Sequence, residues 1–297
     1  MTVIEKELNI NFKHGIAVMG SNLASLYSFD IPTFVFESGE RSKNFQTLEN
    51  LLNFMADNEL CRDDYLYAIG GGVTGDLGGL AASIYARGIN LVQIPTTLTA
   101  MVDSSIGGKT AVNLAKGKNL AGSFKMPEDV YIATSFLNSL PQRELNEGMA
   151  EVIKYSFIMG EDLLQLPIDE MIARCVHFKE KIVEIDPYDR AQRKVLNFGH
   201  TIGHAVEKAS NYELLHGEAV AIGMVYITKI FKPELLPMLE SMLAKFSLPI
   251  SYDGEFDISL DKKRQGELID VVIPYGFGDV RVEKINFEEF KKLCRLT

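Results

Sequence analysis

Short, continuous apolar runs alternate with helix-spaced segments through the first half of this 297-residue chain. The runs at residues 16–19, 33–37, 65–69 and 91–95 are bounded by turn-forming residues, as strands buried on both faces require. Between them, residues 44–57 set Leu48, Leu51, Leu52 and Met55 at helical spacing, and residues 75–86 read as a small-residue helix. Such alternation implies a parallel sheet with helices on its faces. From Leu140 the pattern changes. Pro141-Gln142-Arg143-Glu144 marks a helix start, and helical periodicity then runs to about residue 246, punctuated by Pro167 and Pro187. Residues 271–274 and 280–283 predict a hairpin, and residues 287–295 a last helix. The expectation is an α/β fold in two domains, a parallel-sheet domain over 1–145 and a mainly α-helical one over 146–297.

Composition narrows the function classes. An apolar fraction of 46% with 24% charged residues is that of an ordinary globular protein. The formal net charge of −10 argues against nucleic acid as a partner, since phosphate backbones need a dense basic surface. Cys61, Cys175 and Cys294 are scattered, odd in number and form no CxxC pair, which reads as reduced thiols. The first residues lack a basic segment followed by an apolar one, and the longest apolar run, 219–228, is about half a membrane span. These features set the expectation of a cytoplasmic protein with no membrane partner.

Two clusters carry chemistry. After the strand ending at Ile69 comes Gly70-Gly71-Gly72-Val73-Thr74-Gly75-Asp76, in which Gly70, Gly72 and Gly75 satisfy GxGxxG between a strand and a helix. That is the Rossmann-like context in which a pyrophosphate approaches backbone N–H groups at a helix N-terminus. The ribose-binding acid expected about 20 residues on is absent from Pro95-Thr96-Thr97, so Glu40 is the substitute candidate. The second cluster gathers His200, His204 and His216, three of the five histidines, in seventeen residues. His200 and His204 share one helix face, and Glu151 is a carboxylate inside an apolar helical stretch; together these suggest a metal site. Gly107-Gly108-Lys109-Thr110 lacks the upstream glycine of a P-loop, and that reading is rejected. Arg87, Lys109, Lys118, Lys154, Lys179 and Arg193 sit beside small or apolar residues, a pattern that suits an anion pocket.

These motifs together resemble one family, the 3-dehydroquinate synthases, which are sugar-phosphate cyclases of the shikimate pathway. The matching stretches include Gly70 to Asp76, Tyr85-Ala86-Arg87-Gly88, Pro95-Thr96-Thr97-Leu98, Val102 to Lys109 and Gly117-Lys118-Asn119. They continue with Leu140 to Leu145, Ala150-Glu151-Val152-Ile153-Lys154, Leu196 to His204, Leu215-His216-Gly217-Glu218 and Asp261-Lys262-Lys263. The resemblance implies an NAD-dependent, zinc- or cobalt-dependent lyase. Its substrate would be the anionic sugar phosphate 3-deoxy-D-arabino-heptulosonate 7-phosphate, converted to 3-dehydroquinate and phosphate through transient oxidation, elimination, re-reduction and aldol closure.

By motif, Glu151, His200 and His216 resemble the metal ligands, with His204 an active-site hydrogen-bonding residue instead. Lys109, Asn119, Lys262 and His204 are similar to the group around the substrate phosphate. Lys154, Lys179, Arg193 and Asn197 match residues holding the carboxylate and hydroxyls, and Asp103 one beside the reacting carbons. Arg87 matches an arginine that reaches a neighbouring subunit, which implies a homodimer. For NAD the resemblance implies contacts from Glu40, Lys43, Gly72, Val73, Thr74, Gly75, Asp76, Thr96, Thr97, Lys109, Lys118, Phe136, Leu137, Asn138 and Ser139. The chain departs from the family pattern at its trimmed first strand, in a shortened segment before Asp261, at Gly20 for a common aspartate, and at Asp189 for a glutamate. Alternatives are another sugar-phosphate cyclase or a metal-dependent polyol dehydrogenase. Arg193, Leu196 and Asn197 favour the dehydroquinate pattern, because a substrate carboxylate suits a bidentate arginine.

Overall fold

Every strand of the main sheet runs parallel to its neighbours, which explains why so many strands read as unbroken apolar runs. A computed structural model describes residues 1–258 and 264–295. The chain divides into two compact units, Met1–Leu140 with Val176–Lys181, and Pro141–Cys175 with Ile182–Thr297.

In the first unit the elements run β1 (Thr2–Glu5), β2 (Gly15–Gly20), α1 (Ser21–Ala24), β3 (Thr33–Phe36), α2 (Phe45–Asp57), β4 (Tyr65–Gly70) and α3 (Gly72–Ile84). β5 (Asn90–Pro95), β6 (Lys109–Leu114), β7 (Gly117–Phe124) and β8 (Asp129–Ala133) follow. The six-stranded sheet has the order β1-β8-β5-β4-β2-β3, while β6 and β7 form a separate antiparallel pair. Asn44 caps α2 by accepting from the Thr47 amide at 2.9 Å, and Leu48, Leu51 and Met55 are its buried face. They join Ile16, Val18, Leu66, Leu77 and Leu91 in the core of this unit. β1, four residues long, pairs with β8 at the sheet edge. α3 starts three residues before the expected Gly75, because the turn after β4 closes immediately at Gly71.

In the second unit, α4 (Gln142–Met159) starts after Pro141 and ends at Gly160, whose φ of 70° gives a left-handed cap. α5 (Ile168–Ile185) starts after Pro167 and stops where Asp186 precedes Pro187, a position disfavouring helical backbone. Then come α6 (His200–Ala209), α7 (His216–Phe231) and α8 (Leu236–Ala244). β9 (Arg264–Gln265), β10 (Leu268–Gly276) and β11 (Asp279–Asn286) form an antiparallel sheet, and α9 (Phe287–Arg295) closes the chain. β10 and β11 form the expected hairpin, with Val271 opposite Glu283 and Pro274 opposite Val280. Ile153, Phe157, Phe198, Ile202, Val220 and Met224 anchor this unit's core. No helix among the described residues is long and apolar enough to cross a membrane.

Candidate active site

The carboxyl ends of the parallel strands carry the first set of expected residues. In open α/β sheets, ligands collect at those ends, near the point where strand order reverses. Here that point lies between β2 and β4, since the chain leaves β2 for β3 on one side and β4 for β5 on the other. Glu40 and Lys43 lie beyond the end of β3, Gly72 to Asp76 beyond β4, Thr96 and Thr97 beyond β5, and Phe136 to Ser139 beyond β8. The turn after β4 tolerates little substitution. A Cβ on Gly70 would fall 2.4 Å from the Thr74 hydroxyl, and the Thr96 amide donates to the Gly70 carbonyl at 3.0 Å. The start of α3 is therefore tied to the end of β5 through backbone, leaving its first amides at the strand ends.

Beside that turn lies a charged network. The buried Lys43 ammonium is paired with Asp76 and donates to the Asn119 side-chain oxygen at 2.6 Å. Burial pushes the Asp76 carboxyl above its ordinary range, against the pull of the Lys43 ammonium. Glu40 accepts from the Asn113 amide group at 2.7 Å and lies 3.5 Å from the Lys118 ammonium. The β6–β7 hairpin thus brings Asn113, Lys118 and Asn119 to Glu40 and Lys43. Lys109, at the start of β6, is exposed.

Asp103 lies in a π-helical turn, Ala100–Ser104, a local widening common at functional positions. Its carboxylate accepts from the Lys179 ammonium at 2.7 Å, so the Val176–Lys181 segment brings this lysine to the first unit. Arg87 is exposed on a strained turn, with Ala86 at φ 47° and Arg87 at φ 65°. Phe136 is buried against Tyr27 with ring centroids 5.1 Å apart, and the Tyr27 hydroxyl donates to Ser139 at 3.0 Å. Leu137 is half-buried and Asn138 exposed.

The second set of residues belongs to the helical unit. Glu151, on α4, is fully buried, with Lys154 one turn later paired to its carboxylate. The His216 Nε2 lies 3.5 Å from Glu151 Oε1, and the His200 Nε2 lies 3.7 Å from the same oxygen. One ligand atom from each of Glu151, His200 and His216 falls within 4.8 Å of the others. Two ligands about 2.1 Å from a tetrahedral zinc stand about 3.4 Å apart, so this donor set fits such an ion. The His200 Nδ1 lies 3.1 Å from the Phe198 carbonyl; in the tautomer that donates a proton to it, Nε2 is the nitrogen that could ligate an ion.

Burial disfavours the His216 imidazolium, yet Glu151 and Glu207 outweigh it and carry its pKa from 6.5 up to about 10. His204, by contrast, is exposed, and its ring centroid is 5.4 Å from that of His200 and 6.0 Å from that of His216. It borders the trio without belonging to it. The i, i+4 pairing alone would have chosen His200 and His204; the geometry selects His200 and His216.

Arg193 is 3% exposed and donates to the Pro187 carbonyl at 3.0 Å. Asn197 donates to the Lys194 carbonyl at 3.1 Å, within the same short helical segment, Gln192–Asn197. Asp186 governs that segment by accepting from the amides of Arg190, Ala191 and Arg193 at 2.9, 2.7 and 3.1 Å. Sequence reasoning missed Asp186, and it missed Glu147 and Glu207. Glu207 had a readable signal: with His200 and His204 it completes an i, i+4, i+7 stripe on α6. Lys262 lies outside the described residues, as do Asp261 and Lys263.

A parallel-sheet unit with a glycine-rich strand-to-helix turn, together with a helical unit holding an acid–imidazole trio, defines a metal-dependent α/β enzyme of the sugar-phosphate cyclase class. Two solved structures share this architecture. A 2-deoxy-scyllo-inosose synthase complexed with carbaglucose-6-phosphate, NAD+ and Co2+ is 26% identical with a TM-score of 0.82, covering 96% of this chain and 91% of its own. The 2-epi-5-epi-valiolone synthase of Streptomyces hygroscopicus subsp. jinggangensis, with NAD+ and Zn2+ bound, is 25% identical with a TM-score of 0.88, covering 100% and 95%. Residues 33–147 match the 3-dehydroquinate synthase N-terminal family and residues 148–265 the 3-dehydroquinate synthase C-terminal family. The 3-dehydroquinate synthase of Lactococcus lactis subsp. cremoris is 44% identical over 294 residues, 90% of this chain and 83% of its own length. The chain belongs to the 3-dehydroquinate synthase family.

Proposed function

We propose that this protein converts 3-deoxy-D-arabino-heptulosonate 7-phosphate to 3-dehydroquinate and phosphate, using NAD and zinc or cobalt. The observation that carries the reading is the convergence of Glu151, His200 and His216 on one ligand-sized space. Bound NAD would accept and return a hydride, and the bound ion would polarise the oxygen being oxidised and later reduced.

The chain's own residues supply the rest. Glu40, Lys43 and the α3 start, Gly72 to Asp76, suit the dinucleotide, with Thr96, Thr97, Lys118 and Phe136 to Ser139 around them. Lys109, Asn119, His204 and Lys262 serve the substrate phosphate, Lys109 and Lys262 gathering charge that would otherwise repel. Lys154, Lys179 and Asn197 hold hydroxyls, and Asp103, fixed by Lys179, stands by the reacting carbons. Much of the acceleration is orientation of a flexible, highly charged molecule. Arg193 favours this reading over a cyclase of neutral sugars, since a buried, oriented guanidinium matches a substrate carboxylate.

Arg87 on its exposed, strained turn suits service to a neighbouring copy, which makes the functional form a homodimer. The exposed apolar side chains Leu120 and Phe124, on one face of β7, support an interface there. Cys61, Cys175 and Cys294, read as reduced thiols, suit a cytoplasmic enzyme.

The test supplies purified protein with NAD, zinc and the heptulosonate phosphate, and follows phosphate and dehydroquinate together. Equal release of both products with no accumulated NADH is the expected result. Steady NADH formation from a polyol, or phosphate release from a carboxylate-free sugar phosphate only, would overturn the assignment.

A further inference from the structure

We infer that Glu147, with the Arg143–Glu218 pair beside it, is a positioning clamp that sets His216 against Glu151 and so governs metal affinity. The inference rests on the metal reading above and assigns work to residues outside the ligand set.

Arg143, Glu147 and Glu151 are successive i+4 positions on α4, so they form one stripe along its face. Each meets the start of α7. The Glu147 carboxylate accepts from the Gly217 amide at 2.8 Å. Arg143 grips Glu218 with two parallel hydrogen bonds, both at 2.7 Å, and Glu218 also accepts from the Leu215 amide at 2.8 Å. Residues 215, 217 and 218 are thereby fixed on either side of His216. The approach is close enough to demand glycine: a Cβ on Gly217 would lie 1.9 Å from the Glu147 carbonyl oxygen. With α7 pressed against α4 at these points, His216 Nε2 stands 3.5 Å from Glu151 Oε1.

The chemistry of the contacts suits positioning. Glu147 is buried and meets a backbone amide, so its carboxylate fixes helix against helix. The Arg143–Glu218 contact is bidentate, which fixes angle as well as distance. A carboxylate near the N-terminus of α7 is favoured by the helix dipole too. Outer partners of this kind commonly alter metal affinity by about 10–100-fold when removed.

The experiment measures cobalt binding to the whole protein by chelator competition and by the visible d–d spectrum of the bound ion. Four variants are compared with the wild type: Glu151→Ala, Glu147→Ala, Glu147→Gln and Arg143→Met. Glu151→Ala tests the underlying reading. If it binds cobalt as the parent does, the metal site is elsewhere and the clamp falls with it. Given a Glu151-dependent site, Glu147→Ala should bind about 10–100-fold more weakly with an altered spectrum. Glu147→Gln, whose amide oxygen can still accept from Gly217, should recover most of the affinity. Arg143 is 59% exposed, so Arg143→Met keeps the protein folded and decides the matter if Glu147→Ala does not fold. Wild-type affinity and spectrum in folded Arg143→Met and in any folded Glu147→Ala would overturn the clamp while leaving the metal site intact.

Discussion

Removing the Asp186 carboxylate should cost stability and loosen Arg193 in one step. Three backbone amides converge on this side chain, those of Arg190 and Ala191 half-buried and that of Arg193 buried. A hydrogen bond to a charged acceptor contributes about 1.5–3 kcal/mol net, and an amide left buried without a partner costs about 1–3 kcal/mol. The first two amides regain water when the carboxylate goes, whereas the third does not. Asp186→Ala should therefore lose about 3 kcal/mol at pH 7, and Asp186→Asn, keeping one acceptor oxygen, about 1–2 kcal/mol.

The pH dependence gives an independent check. Burial, 8% of the residue being exposed, pushes the Asp186 carboxyl up. The three amides and the Arg193 guanidinium outweigh it and hold the group below its ordinary range. A carboxyl depressed by folding contributes stability above its unfolded value of about 4, and loses it as pH falls through the folded value. The gap between wild type and Asp186→Ala should be full at pH 6–7 and narrow below about pH 4. Urea unfolding across that range reads it directly. In the cyclase assay the KM for the heptulosonate phosphate should rise more than kcat falls, because Arg193 shares the Asp186-held segment. Variants within about 0.5 kcal/mol of wild type at pH 7, with KM unchanged, would refute the reasoning.

Two further outcomes follow from the same geometry. In metal-stripped protein His216 holds its proton to about pH 10, a raised value whose stabilisation is present at low pH and lost as pH climbs through it. Zinc binding at pH 7 should thus release about one proton, measurable by calorimetry in buffers of different ionisation heat; no proton release would contradict the partnership of His216 with Glu151 and Glu207. On the proposed homodimer, replacing Leu120 and Phe124 on β7 by lysine should shift sedimentation from dimer to monomer; an unchanged dimer would place the interface elsewhere, and a monomeric wild type would overturn the homodimer itself.

How much of this was legible beforehand depends on whether a feature is set by one segment or by two. Strands β2, β4 and β5 announced themselves because burial on both faces leaves an unbroken apolar run, which needs no knowledge of neighbours. β6 and β7 did not: they form a half-exposed pair whose burial alternates irregularly, and what fixes them is pairing with each other. The glycine-rich turn was readable for the same local reason, since Gly70 answers to Thr74 only four residues away.

The acid–imidazole trio lies at the other extreme: the motif resemblance named Glu151, His200 and His216, but spacing along the chain could not. Spacing within α6 offers His200 with His204, and nothing in that helix prefers a histidine from the next one. The preference arises where α7 packs on α6, with Gly203 close enough that a Cβ would sit 2.9 Å from the Ala219 carbonyl. That approach carries the start of α7, and His216 with it, toward His200. The same logic explains why Glu151 was noticed and Glu147 was not. Both are acids on one face of α4, but Glu147 acquires meaning only through Gly217, seventy residues on. A polar stripe at i, i+4 and i+8 inside an apolar helix is therefore better read as one unit facing a partner than as a single ligand among spectators.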